Sequence, residues 1–581
     1  MKRTIVSLIL ILCFIFSVFA LSSCGKNAEP ADTTAASATA TESDLTGPEA
    51  SEPDTADVTT VETTADKWED LAPKITMIVE KDRALRIECS SFGTAEKTSK
   101  NDIYLKGPDE VVDGVTPLIQ QMVYERNKAA CDLLGTSTEF VFWDIIYGEQ
   151  CAQIDLVVKG GASDAPDLFV NMLYDLNLEL LNGSFKDIWS IAGSFFDFST
   201  EGWLSAWMEN LSLTGDRAYI LGSDYFMDVF RAITILPFNM DMMDENGAIL
   251  APAILEEGET LGQGEELTTF FFDLVDEGRW TWDVLGKLCE AIWVDSDGNG
   301  QDSINDRLGI IATEYGGQSA GSFIHSSGEQ LTEAYEIEDE SSEYYGKQWI
   351  RFVPESTELG RIFDAVKSVF EGPGSMSTNL PPEYNTPEAP GAAYFVTKFA
   401  ASEMLFAGVC QLSALEDETF QQMRDLYSVV PCPKVDATKS YNTVIYNDAD
   451  VGAINVNANP RKARALSAYL QYSTENSPAI REQFLQIVTK YKTTTYNQGT
   501  DRMLEIIYDG ITYGRDKAVE DLLGQTLRQC RWHAIMKTEH FTAGSSEIAQ
   551  QYLSLLSAKQ KIIDADMKKW YTLPKVEPAS D

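Results

Sequence analysis

The chain has 581 residues, of which 90 are Asp or Glu and 45 are Lys or Arg, giving a formal net charge of −45. Counterion release onto basic side chains therefore cannot drive nucleic-acid binding, and an acidic partner is disfavoured. The length leaves room for several ordinary domains, or for two large lobes with a full core each.

The opening run MKRTIVSLILILCFIFSVFALSSCG sets Lys2 and Arg3 before an apolar stretch from Ile5 to Leu21. That pattern predicts an export signal over 1–23 rather than a structural helix. Leu21-Ser22-Ser23-Cys24 resembles a bacterial lipobox, which implies cleavage before Cys24 and lipid on its thiol; an ordinary signal or an uncleaved anchor is the alternative. From Asn27 to Asp66 the chain is Thr, Ala, Ser, Glu, Asp and Pro, and it buries too little apolar surface to offset its ordering entropy. We expect a disordered acidic tether over 24–66. No later stretch is long and apolar enough to span a bilayer. These features predict a lipid-anchored protein on the outer face of the cytoplasmic membrane.

The folded part begins near Lys67 and reads as mixed α/β. RALRIECS (Arg83 to Ser90) predicts a strand. Thr116 is placed to cap a helix with Pro117 at its first position, running to Gly135. EFVFWDI then alternates as a second strand. A β-α-β opening favours a sheet with parallel pairs and helices over its faces. Thr281 is the expected cap of a helix whose stripe holds Val284, Leu285, Leu288, Cys289, Ile292 and Trp293. Asn459 and Pro460 start another.

Between these helices lies WVDSDGNGQDSINDRLG. Oxygen donors fall at Asp295, Asp297, Asn299, Gln301 and Ser303, Gly300 stands at the turn and Asp306 closes a twelve-residue span, which is the EF-hand ligand pattern. It departs at Asp306, where a bidentate Glu is usual, and at Asp302, where a hydrophobic residue is. One copy predicts a static clip holding a structural calcium ion rather than a sensor; the alternative is an Asp/Gly-rich turn that binds nothing.

Setting aside Cys13 and Cys24 leaves seven scattered cysteines without CxxC spacing, which argues against a disulfide framework or a zinc ribbon and for buried thiols. Only His325, His533 and His540 exist, none in a metalloprotease pattern, so no catalytic constellation is predicted. Trp280, Trp282 and Trp293 read as core. Trp203 and Trp207, one helical turn apart, are candidates for a ligand platform, as are Tyr315 in a Gly-rich run and Trp532. Asp167 reads as closing a turn at the end of a strand rather than binding ligand.

Four stretches in order carry a resemblance: APDLFVNMLYDLNLELLNGSFKDI (Ala165 to Ile188), ITILPFNMDMMDENG (Ile233 to Gly247), the Trp282 helix with its acidic loop, and FAASEMLFAGVCQL followed by YSVVPCPKVD and VGAINVNANPRKARALSAYLQY. Together they resemble the extracellular solute-binding proteins of ABC importers, of the carbohydrate-binding group typified by maltose-binding protein. The resemblance covers about Lys67 to Tyr472. Gly408-Val409-Cys410 departs from the Gly-x-Trp of many sugar binders, so no stacking Trp transfers there. The resemblance implies a two-lobed periplasmic-binding-protein-like α/β fold with crossing hinge strands, lobe 1 from 67–232 and 400–446 and lobe 2 from 233–399 and 447–575. It implies a monomer that closes on a sugar or oligosaccharide for an ABC permease and is not an enzyme. A surface glycan-binding protein uncoupled from transport, a peptide binder and a surface glycoside hydrolase remain alternatives.

Overall fold

The computed structural model describes residues 67–69, 71, 84–90, 100–145, 148–162, 164–312, 322–323, 325–330, 332–353, 357–377, 397–490, 497–511, 519 and 545–573. The expected signal and tether, Cys24, Tyr315 and Trp532 lie outside them. In chain order the strands are β1 (Leu85–Ser90), β2 (Thr138–Trp143), β3 (Leu168–Met172), β4 (Ile220–Leu221), β5 (Thr234–Asn239), β6 (Ile310–Ile311), β7 (Thr332–Glu336), β8 (Gln348–Phe352), β9 (Ser375–Met376), β10 (Cys410–Gln411), β11 (Tyr427–Val430) and β12 (Asp450–Ile454).

The β-α-β opening forms as the periodicity predicts. β1 and β2 pair in parallel, joined through the helix Leu118–Leu134, which stops where Gly135 takes a left-handed conformation at φ 64°. That φ suits a residue without a Cβ. The helix starts one residue later than expected. Pro117 occupies the cap position, and the Thr116 hydroxyl instead accepts from the Val112 N–H at 2.9 Å. Asn459 does cap its helix, Pro460–Glu475, accepting from the Arg461 N–H at 2.9 Å. Thr281 sits at the cap of Trp282–Ile292 without using its side chain.

Two sheets organise the chain. The first has the order β2-β1-β3-β12-β4, parallel among β1, β2 and β3, with β12 antiparallel to both β3 and β4. The second, β10-β5-β11, is antiparallel. The helix Leu118–Leu134 packs beside Pro460–Glu475 and Pro478–Lys490, whereas Leu267–Asp276 and Asn497–Asp509 lie by β11 and β5. The mixed α/β expectation therefore matches, and the chain passes between the sheets more than once. At the crossing, Thr234 donates to the Val444 carbonyl at 2.8 Å, Tyr446 to Ala232 at 2.9 Å and Leu412 to Ile233 at 2.9 Å. Three segments thus run side by side between the two halves.

The expected division of the later chain is corrected by this topology. Residues 400–446, expected in lobe 1, supply β10 and β11 to the second sheet; β12, expected in lobe 2, completes the first. The physical reason is that YSVV and DVGAI are both short apolar runs, and a strand's partner is a tertiary fact that neither run encodes locally.

Six thiols are free among the described residues, with Cys89, Cys289, Cys410 and Cys432 buried, as their apolar company predicts. Trp280 and Trp282 are core, and Trp293 packs against it half-buried. The Asp167 carboxylate accepts from the Arg86 N–H at 3.0 Å and from Lys462 at 2.6 Å, tying the start of β3 to β1 and to the Pro460 helix. Among the described residues no helix is long and apolar enough to cross a membrane.

Candidate functional site

In an open sheet with parallel strands, ligands bind outside the carboxyl ends where the strand order reverses direction. Here the chain steps from β1 outward to β2, then crosses back to β3 on the other side of β1. The reversal puts Ser90, Trp143 and Met172 at one edge, and antiparallel pairing of Asp450 with Met172 brings the start of β12 to it. Tyr174 donates its N–H to the Asn447 carbonyl at 2.9 Å, so the helix Leu173–Leu180 that follows β3 is joined there to the loop before β12. The resulting rim carries Trp143, Tyr174, Tyr446, Asn447 and Asp448 half-buried and Asp144 exposed. Aromatic faces beside amide and carboxylate groups suit a ligand with apolar patches and a fringe of hydroxyls.

Turn chemistry fixes this rim. The Asp175 carboxylate, buried behind it, accepts from the Gly148 N–H at 3.0 and 3.1 Å and from Cys151 at 3.4 Å. It thereby holds the start of the helix Gln150–Gly160, where negative charge complements the helix dipole. Gly148 has φ 81°, and a Cβ there would lie 3.8 Å from the Tyr174 ring.

Beneath the rim lies a charge network. The Lys100 ammonium contacts Asp228, reaches the Asp448 carbonyl at 3.3 Å and lies 3.5 Å from Asp450. Asp228 also binds Arg231 at 2.7 Å and accepts from the Asp450 N–H at 2.8 Å. Asp450 accepts from Ser90 at 2.9 Å and Asn101 at 2.6 Å through one oxygen, leaving its other oxygen without a partner. Glu88, fully buried on β1, accepts from Asn171, and its second oxygen likewise has no partner. Burial pushes the Glu88 carboxyl well above the ordinary carboxylate range against the Asn171 hydrogen bond. Asp450 is pushed up to about 7, by burial first, with Lys100 opposing and Asp228 adding. Asp228 goes the other way, because Lys100 and Arg231 outweigh its burial. Burial also works against the Lys100 charge, but Asp228 and Asp450 prevail and raise it. The network reaches the second sheet through Gln411 of β10, which donates to Asp448 at 2.9 and 3.0 Å, and Arg231 donates to Glu416 at 2.7 Å in the short helix Leu412–Glu416 after β10.

The aromatic pair singled out from sequence does not line this rim. Trp207 is fully buried and Trp203 nearly so. Trp203 donates to Gln471 at 2.9 Å and stands edge-on to Phe196 and Phe198, with centroids 5.5 and 5.1 Å away. The platform expectation for both is therefore corrected: they are packing residues, and they do not share a helical face, because Trp203 pairs with Ser223 ahead of the helix Ser205–Leu211 that carries Trp207. Trp143, Tyr174 and Lys100 were missed. Only Trp143 had a usable signal, as an aromatic residue near the end of the predicted strand EFVFWDI.

The acidic loop is a separate feature. Carboxylate oxygens of Asp295, Asp297 and Asp306 lie within 4.8 Å of one another. Asp295 accepts from the Gly298, Asn299 and Gly300 N–H groups at 2.7, 3.1 and 2.8 Å, and Gly298 and Gly300 take φ of 72° and 73°. Asp306, nearly fully buried, accepts from Ser296 at 2.8 Å and Ser303 at 2.7 Å. Asn299 is turned onto the Gln301 N–H at 2.6 Å, and Gln301 is exposed, so of the six expected donors the three carboxylates converge. Three hard oxygen donors so close repel one another, and a hard divalent cation relieves that repulsion. Asp302 accepts from the Gly374 N–H at 2.9 Å, docking the loop beside β9.

No family model matches the sequence, and no curated protein matches it. Solved structures do. The GacH receptor of Streptomyces glaucescens, determined unliganded and with acarbose, is 12% identical over 82% of this chain and 99% of its own, with a TM-score of 0.42. A family 1 extracellular solute-binding protein from Bifidobacterium longum subsp. infantis is 13% identical over 84% and 100%, at 0.42. The maltose/maltodextrin-binding domain MalE from Bdellovibrio bacteriovorus, bound to maltotriose, is 12% identical over 81% and 100%, at 0.38.

Proposed function

We propose that this chain is the extracellular solute-binding component of an ABC importer, taking a sugar or oligosaccharide at the carboxyl edge of its first sheet by hinged closure of its two halves. The observation that carries the reading is the half-buried aromatic and amide rim at the reversal of strand order, beside three segments that cross to the second sheet. Crossing segments absorb a rotation in a few backbone dihedrals, and a ligand that binds the closed form better shifts the population toward it. Closure removes water from the rim and strengthens its polar contacts. The chain acts by binding rather than turnover. The N-terminal pattern supports export and lipid attachment at Cys24, and a monomer then hands its cargo to the permease.

A thermal-shift screen against neutral oligosaccharides, with short peptides as controls, tests this. A glycan that leaves the assay uncleaved is expected to raise the midpoint, since a ligand bound only by the native state stabilises it by mass action. A shift with peptides alone would overturn the carbohydrate assignment, and release of reducing ends would favour a hydrolase.

We further propose that Asp295, Asp297 and Asp306 hold a structural calcium ion. At hundredfold saturation such an ion contributes about 2.7 kcal/mol. Chelation is expected to lower the melting temperature while leaving ligand binding in place. An unchanged melting temperature would make the loop a plain turn.

A further inference from the structure

The C-terminal helix Ser545–Thr572 touches both halves of the chain. Toward the second half it lies on the β7–β8 hairpin and on the helix Thr357–Phe370, which packs against Trp282–Ile292. Gln560 donates to the Ile350 carbonyl at 2.9 Å and accepts from the Phe352 N–H at 3.1 Å; Asp564 accepts from the Trp349 indole at 2.9 Å. Toward the first half, the buried Trp570 donates its indole N–H to Thr214 at 2.9 Å and stands edge-on to Tyr219 with centroids 5.5 Å apart. Thr214 and Tyr219 belong to the segment running directly into β4 of the first sheet.

The two attachments meet at one residue. Tyr571 stacks on Trp349 at 5.9 Å and 13°, and the Arg217 guanidinium lies over the same ring at 5.3 Å. Arg217 also donates to the Trp570 carbonyl at 2.9 Å, a cation on one of the last carbonyls of the helix, where the dipole favours it. A helix cannot lengthen without breaking its own hydrogen bonds, unlike the crossing segments, which can swing.

We infer that the C-terminal helix is a strap: its Trp570–Tyr571 end holds the β4 segment against the β7–β8 hairpin and limits how far the two halves open. The inference rests on the hinged reading above. As the halves separate, either the Thr214, Arg217 and Tyr219 contacts or the Trp349 contacts must part. The strap therefore shortens the excursion of the open state and keeps the rim near its closing position. No ligand contact is required of any residue involved.

The test uses the full chain without ligand, comparing wild type with Trp570→Ala by small-angle scattering and native-state hydrogen exchange. The expected result is a larger radius of gyration and at least about tenfold faster exchange at residues 232–235 and 443–447, with β1 and β3 protection unchanged. Faster exchange confined to the helix itself, with an unchanged radius, would overturn the strap. Should Trp570→Ala fail to fold, Thr214→Val removes the indole's acceptor together with the local bond from the Thr214 hydroxyl to Asp216 at 2.6 Å. It is expected to speed exchange at the same crossing segments by a smaller factor, and no change there would overturn the inference. Both readouts are independent of cargo, so failure to bind any sugar would sink the transport reading and leave this one standing.

Discussion

Acidifying the protein from pH 8 to pH 5 is expected to raise its melting temperature, with part of the gain abolished by Asp450→Asn, the rest coming from other buried carboxyls such as Asp224, also pushed up to about 7. Asp450 is buried with Glu88 of β1, Asp228, Lys100 and Asn101 acting on it, while Arg231 pairs with Asp228, and Asp448 with Lys100 and Gln411, around it. Its folded carboxyl is pushed up to about 7. A group raised in this way contributes stability that is fully present below the ordinary value and is lost as pH rises through the folded one. Between pH 5 and 8 that loss is about 3 kcal/mol for one such group, and Glu88, also raised, adds in the same direction. Asp228 has the opposite sign, but its lowered value confines its effect to pH below about 4, outside the window. Relief of the net charge also favours the compact state on acidification. The Asn variant separates the two. It retains an acceptor for Ser90 and Asn101, offers an N–H where Asp450 now has a partnerless oxygen, and cannot titrate. A melting-temperature slope identical in wild type and variant would show that Asp450 is ionised throughout.

Trp207→Ala is expected to cost about 3–5 kcal/mol in unfolding free energy, the range for emptying a large aromatic site in a core. Its ring packs so closely on Gly222 that a Cβ there would lie 2.5 Å away, so no backbone can move in to fill the void cheaply. Trp207→Phe should recover most of the loss, since a smaller ring still fills much of the space. Trp143→Ala is the contrasting variant. Half-buried at the rim, it is expected to lose little stability but roughly tenfold in affinity for whichever glycan the thermal screen identifies. Chemical denaturation with both variants decides the matter. If Trp207→Ala unfolded normally and lost the ligand instead, the core assignment would fail.

The sequence is most informative where local rules suffice. Gly135 ends a helix because only a residue without a Cβ accepts its backbone angle comfortably, and Asn459-Pro460 starts one by capping chemistry. The acidic loop was legible for the same reason: alternate oxygen donors and two glycines dictate a turn whose carboxylates converge. The rim was not. Trp143 reaches the rim through the pairing of β2 and β3 with β1, and Asp448 joins Tyr174 there only through the pairing of β3 with β12, across nearly half of the chain. Nor does the spacing of Trp203 and Trp207 reveal that the helix starts only at Ser205 or which way either ring faces. That is fixed by Gly222, Phe196 and Phe198, residues the stripe itself does not contain.

The late arrival of β12 has a bearing on how the chain is made. β3 pairs with β1 on one side and with β12 on the other, so the first sheet stays open along β3 until residue 454 has been synthesised. At about 5–20 residues per second, translation of the intervening chain takes tens of seconds. Closing so long a loop is also intrinsically slow. Throughout that interval β3, with no exposed position, presents an apolar strand with a free edge. The nascent chain therefore remains without its native fold long enough for a holding chaperone to bind it.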